Sequence, residues 1–126
     1  MKQDNLEYFA YAAFRLYGHT DDIKTLTSED ALIVSAAAST LRHLKVDRKL
    51  SESKAIEYIL CELPMGHIAR GTISNRVKDA AYNIVYVEET TIWRYLHHAR
   101  MLFDRYYNEY YSQQPLTAAE NAVKEV

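Results

Sequence analysis

The stretch VKDAAYNIVYVEETTIWRYLHHAR, residues 77–100, decides the fold. Val77, Ala80, Ala81 and Ile84 recur at three- and four-residue spacing, and so do Ile92, Tyr95, Leu96 and Ala99, which puts each set on one face of a helix. Between them, Ile84-Val85-Tyr86-Val87 scores as a strand when read alone, because it is β-branched and aromatic. Helical periodicity resumes at once on both sides, and a four-residue strand would have no partner. The segment therefore predicts the end of one helix and a tight turn into the next.

Helical spacing continues in both directions. After Glu88 the apolar row runs Ile92, Tyr95, Leu96, Ala99, Leu102, Phe103, Tyr106 and Tyr110, one long helix that Gln113, Gln114 and Pro115 should stop. Upstream, Thr72 or Ser74 is expected to cap the helix that carries Val77. The segment Met65–Gly71 reads as a hinge or long loop. A third helix is expected after Ser51 as N-cap, with Leu50 packing on Ala55 as a hydrophobic staple and Ile56, Ile59, Leu60 and Leu63 inside. A second should start near Thr27 or Ser28, where Thr27 and Asp30 outline a capping box. Its stripe is Leu32, Ile33, Ala36, Ala37, Thr40, Leu41 and Leu44. The first, Asn5–Tyr17, buries Leu6, Phe9, Ala10, Ala13, Phe14 and Tyr17, and Gly18 is expected to end it in the left-handed conformation. Together these predict an all-α fold of four to five helices. Residues 1–112 form a single domain with a C-terminal helix-turn-helix at about 74–105 and a long last helix, and residues 113–126 form a tail.

Composition narrows the function. The 126 residues are 48% hydrophobic and 25% charged with a net charge of -2, which excludes a strongly basic nucleic-acid coat and a strongly acidic DNA mimic. Three glycines and two prolines disfavour a turn-rich β fold. One cysteine, Cys61, excludes an intramolecular disulfide and a multi-thiolate zinc site. No run approaches the roughly 20 apolar residues a membrane span needs. Residues Met1–Phe14 lack the basic start and apolar core of a signal peptide, so a cytoplasmic protein without membrane contact is expected. Of the eleven tyrosines, seven fall between residues 82 and 111.

A helix-turn-helix unit needs small or apolar residues where its helices cross, an inward apolar residue in the turn, and an apolar inner face on the second helix. Ala81 with Val85, then Val87, then Ile92 with Tyr95 supply these in order. The run Val87-Glu88-Glu89-Thr90-Thr91-Ile92-Trp93-Arg94-Tyr95-Leu96 resembles the recognition-helix segment of sigma region-4-like and related phage or bacterial helix-turn-helix regulators. His97-His98-Ala99-Arg100 is similar to their basic extension. The resemblance covers about residues 74–105. It departs at Tyr82, where an alanine is usual, at Tyr86, where the turn carries a glycine or a small or polar residue, and at Glu88, which replaces a capping serine.

What the resemblance implies is double-stranded DNA as partner and transcriptional regulation as role. Glu89, Thr90, Trp93, Arg94 and His97 would face the major groove, with Arg94 placed for a guanine and Thr90 for a thymine methyl. Thr72, Ser74, Asn75, Arg76, Lys78 and Arg100 would meet phosphates. Residues 70–105 carry six basic and four acidic side chains and are the only net-positive region. Tyr106, Tyr107, Tyr110 and Tyr111 form a candidate homodimer surface. Two other readings use the same residues. One is a non-enzymatic protein-binding adaptor or inhibitor acting through the tyrosine-rich face, and the other is a small DNA-packaging subunit.

Enzymatic chemistry and cofactors are not expected. Adjacent His97 and His98 point about 100° apart on a helix and cannot share one ion. Glycines at 18, 66 and 71 form no phosphate loop. Cys61 reads as a small core residue rather than a nucleophile paired with His67. The carboxylate pairs Asp21-Asp22 and Glu29-Asp30 sit where they favour helix starts.

Overall fold

The computed structural model describes residues 2–21 and 25–113, with side chains from residue 9 onward. It is all-helical, with five helices in a single compact domain. These are α1 (Lys2–Gly18), α2 (Ser28–Val46), α3 (Leu50–Ile56), α4 (Thr72–Asp79) and α5 (Glu89–Gln113). Both α3 and α4 run on into single π-helical turns, Glu57–Cys61 and Ala80–Ile84. The expected tail beyond residue 113 and the inward side chain of Leu6 lie outside the described residues.

The long last helix organises the rest. Ile92, Leu96, Ala99, Leu102 and Phe103 are buried along its inner face. They lie chiefly against α2, whose Ala36 and Ala37 are small enough to admit a close neighbour and are fully covered. Phe103 also meets Phe14 and Phe9 of α1 at ring-centroid distances of 5.9 and 5.7 Å. The core is continuous from Ala10 to Phe103. Fully burying each of its large apolar side chains is worth about 1.5–3 kcal/mol.

The termini of the helices correct the sequence reading in three places. Gly18 is not among the residues with positive φ. It is glycine because the end of α1 lies against the backbone of Cys61, where an added Cβ would sit 1.9 Å from the carbonyl oxygen. Two side chains fasten the same junction: Arg15 Nη1 donates to the Gly66 carbonyl at 3.0 Å and His19 Nε2 to that of Leu63 at 2.6 Å. Second, Ser51 does not cap α3. The Lys49 carbonyl accepts from Ser53 N–H at 2.9 Å, so the first turn starts earlier, and Leu50 is 63% exposed instead of stapled. Third, neither Thr72 nor Ser74 caps α4. Gly71, at φ 86, holds the cap position and its carbonyl accepts from Asn75 N–H.

At α2 the N-cap half of the expected capping box is present, since the Thr27 hydroxyl accepts from Asp30 N–H at 3.1 Å. That helix ends in a Schellman motif. Lys49 N–H reaches Leu44 O at 2.7 Å and Arg48 N–H reaches Lys45 O at 3.1 Å, with Arg48 at φ 60 in the position that glycine usually fills.

Candidate nucleic-acid interface

Helices α4 and α5 are joined by residues 85–88, the turn predicted from the β-branched run. Its geometry depends on Tyr86, which adopts φ 57, the left-handed conformation that favours glycine. Val85 N–H bonds back to Ala80 O at 2.9 Å, and Val87 N–H to Ala81 O at 3.1 Å, so the π turn closes on itself and ends the helix. Ala80 and Ala81 are buried at the crossing, Val85 and Val87 are half-buried, and Ile92 is fully covered. The inner-face residues read from the sequence are thus the ones that pack.

The opposite face of α5 is open. Thr90, Trp93, Arg94 and His97 are exposed, Trp93 at 44%, and share the side away from Ile92 and Leu96. Glu89, half-buried at the first turn, accepts a hydrogen bond from the Tyr82 hydroxyl at 2.9 Å. Ser74, Asn75 and Lys78 are exposed on α4.

Arg76 departs from its expected place at a phosphate. Its guanidinium lies over the Tyr58 ring, 4.4 Å from the centroid, and donates to the Tyr58 carbonyl at 2.7 Å. The Tyr58 hydroxyl donates in turn to Asp79, which also accepts from Asn83 Nδ2 at 2.6 Å. These two donors hold the Asp79 carboxyl below the usual carboxylate range. The cluster joins α4 to the π turn after α3. Arg100 is half-buried. Its charge partly offsets the burial that raises the neighbouring Asp104 carboxyl.

No family model, curated protein or solved structure matches this chain.

The tyrosine-rich end of α5 faces inward more than its composition suggests. Tyr106 shares a 2.9 Å hydrogen bond with His43 Nδ1, and Tyr110 a 2.5 Å one with Ser39 Oγ, both across to α2. Tyr107 meets Phe9 edge-on at 5.3 Å and stacks on Phe103. Of the four candidate interface tyrosines only Tyr111, 63% exposed, belongs to the open surface.

Sequence reasoning missed two pairs at this site, Tyr82–Glu89 and His98–Glu52. In the second, His98 Nδ1 donates to the buried Glu52 carboxylate at 2.5 Å and pins α5 to α3. Glu52 lies 46 positions from His98 and gives no local signal. The seven-residue separation of Tyr82 from Glu89 becomes informative only once the turn between them is known. Among the described residues no group of three or more His, Cys, Asp or Glu side chains can hold a metal, and no helix is long and apolar enough to cross a membrane.

Burial pushes the Cys61 thiol up to about 12, the reverse of the shift that activates a nucleophile.

Proposed function

We propose that this chain is a small double-stranded-DNA-binding protein, a transcriptional regulator of phage or bacterial type, that reads the major groove with the first two turns of α5. One observation carries the reading. The left-handed turn at Tyr86 presents α5 with its apolar side covered and Thr90, Trp93, Arg94 and His97 free on the other. The N-terminal turns of a groove-reading helix supply the base contacts, and an arginine there is suited to a bidentate bond to guanine. Lys78, Ser74 and Asn75 flank the row as phosphate contacts, with Arg100 at its edge. Arg76 is reassigned from phosphate contact to holding α4 in place.

The exposed aromatics Tyr82, Tyr86 and Trp93 favour a second reading, a protein-binding adaptor. Salt dependence separates the two. The two cationic phosphate contacts, Lys78 and Arg100, predict a fall in DNA affinity on the order of tenfold between 50 and 200 mM salt. Fluorescence anisotropy of a labelled random duplex tests this with wild type and Arg94→Ala side by side. The DNA reading requires binding that collapses with salt and weakens in the variant. Folded protein that ignores DNA at the lower salt sinks it and leaves the adaptor.

A further inference from the structure

The hydrogen bond between Tyr82 and Glu89 is unlike the rest of the interface. It links the π turn that closes α4 to the opening turn of α5, and it fixes the Glu89 carboxylate through a donor, whereas the neighbouring exposed Glu88 has no such hydrogen bond among those described. A carboxylate beside phosphate backbones is repelled by them, so a charge there weakens DNA binding unless it has a donor to meet. In the major groove the one exocyclic donor on a G·C pair is the cytosine N4 amino group, and Glu or Asp is its usual acceptor.

Resting on the DNA-binding reading, we infer that Glu89 is a specificity residue that accepts from a cytosine N4, and that Tyr82 is the positioning residue that aims it. The Tyr82 hydroxyl donates to Oε2 at 2.9 Å, which restricts the carboxylate to one rotamer and leaves Oε1 for a base. The same bond raises the Tyr82 hydroxyl above its ordinary value and so keeps it a donor. Glu89 and Arg94 are five residues apart, about 7.5 Å along the helix axis and about 140° around it, so the two side chains address separate base positions. The recognised site should therefore hold a cytosine at a position distinct from the guanine read by Arg94. Tyr82, the position at which the chain departs from the small residue usual in such units, acquires a reason: a smaller side chain could not reach Glu89.

The test is selection from a randomised duplex library with wild type, Glu89→Gln and Tyr82→Phe, followed by anisotropy titrations of the enriched duplex and its single-base variants. Both side chains lie at the surface, and circular dichroism melts establish that the variants are folded. Wild type is expected to enrich a fixed cytosine together with the guanine and to lose about tenfold in affinity when the cytosine is changed. Glu89→Gln should shift that position to adenine, which glutamine reads in bidentate fashion, and leave the guanine position intact. Tyr82→Phe should flatten the preference at the cytosine alone and leave the guanine preference intact. If wild type enriches a site and Glu89→Gln enriches the identical one, the inference fails while DNA binding stands. If wild type binds no duplex, both fall together.

Discussion

Gly18 is held by contact and not by conformation. Its backbone is that of an ordinary helix end, but the carbonyl of Cys61 occupies the space where a side chain would begin. Gly18→Ala gains helix propensity of about 1 kcal/mol and must displace backbone to do so. A net loss of about 1–3 kcal/mol in urea denaturation is expected, and an unchanged midpoint would show that the α1 end has room. Arg48 is the opposite case, a residue strained by conformation with free space around it. It is exposed at φ 60, where a Cβ costs roughly 1 kcal/mol. Arg48→Gly should raise stability by about 0.5–1 kcal/mol, and thermal melting will show it as an upward shift of a few degrees. Tyr86 shares that strain at the α4–α5 turn, with φ 57.

Along α5 three environments follow one another. The first two turns are open on their outer side, the middle is pinned through Ile92, Leu96, Ala99 and the His98–Glu52 pair, and the last turns are bonded to α2. Tyr106→Phe and Tyr110→Phe each remove one hydroxyl from a cross-helix hydrogen bond and keep the ring. Each is expected to cost about 1 kcal/mol in a denaturant titration. A dimer held by this face would instead show altered sedimentation in the same variants.

Most of the inner-face residues were readable in the sequence because burial imprints a period of 3.6 on the chain, although Phe9, expected inside, is 37% exposed and the buried Val34 lies outside the expected stripe of α2. The stripe from Ile92 to Tyr110 packs inward at every position. Helix starts were less readable. Ser51 and Ser74 have the chemistry of N-caps, but the caps went to Lys49 and Gly71, whose place is set by the preceding loop. Nor was the inward turn of Arg76 readable, since its partner Tyr58 lies 18 residues away across the loop. At the candidate site the open row Thr90, Trp93, Arg94 and His97 was legible as the complement of a buried stripe, whereas Tyr82–Glu89 was not, because no periodicity crosses a turn.

At the scale of the whole molecule, the junction between α1 and the end of the α3 π turn ties the N-terminal helix to the rest, and Cys61 sits inside it. Burial pushes its thiol up to about 12 from an ordinary value of 9.0, so the native state favours the protonated form. For a folded-state value raised in this way, the stabilisation is complete below pH 9 and is lost as pH climbs toward 12, because the unfolded chain gives up its proton first. Wild type should therefore lose about 1 kcal/mol more than Cys61→Ala between pH 8 and pH 10, measured by urea titration at each pH. Alkylation offers an independent view of the same junction. Iodoacetamide at pH 8 should modify the native thiol only through opening of the α1 contact, and fully in urea. Gly18→Ala should speed the native reaction by about the factor by which it destabilises the fold, five- to a hundredfold for the 1–3 kcal/mol expected. Equal labelling rates in wild type and variant would mean that Cys61 is reached without separating α1, and that this junction is not the cooperative unit inferred from its contacts.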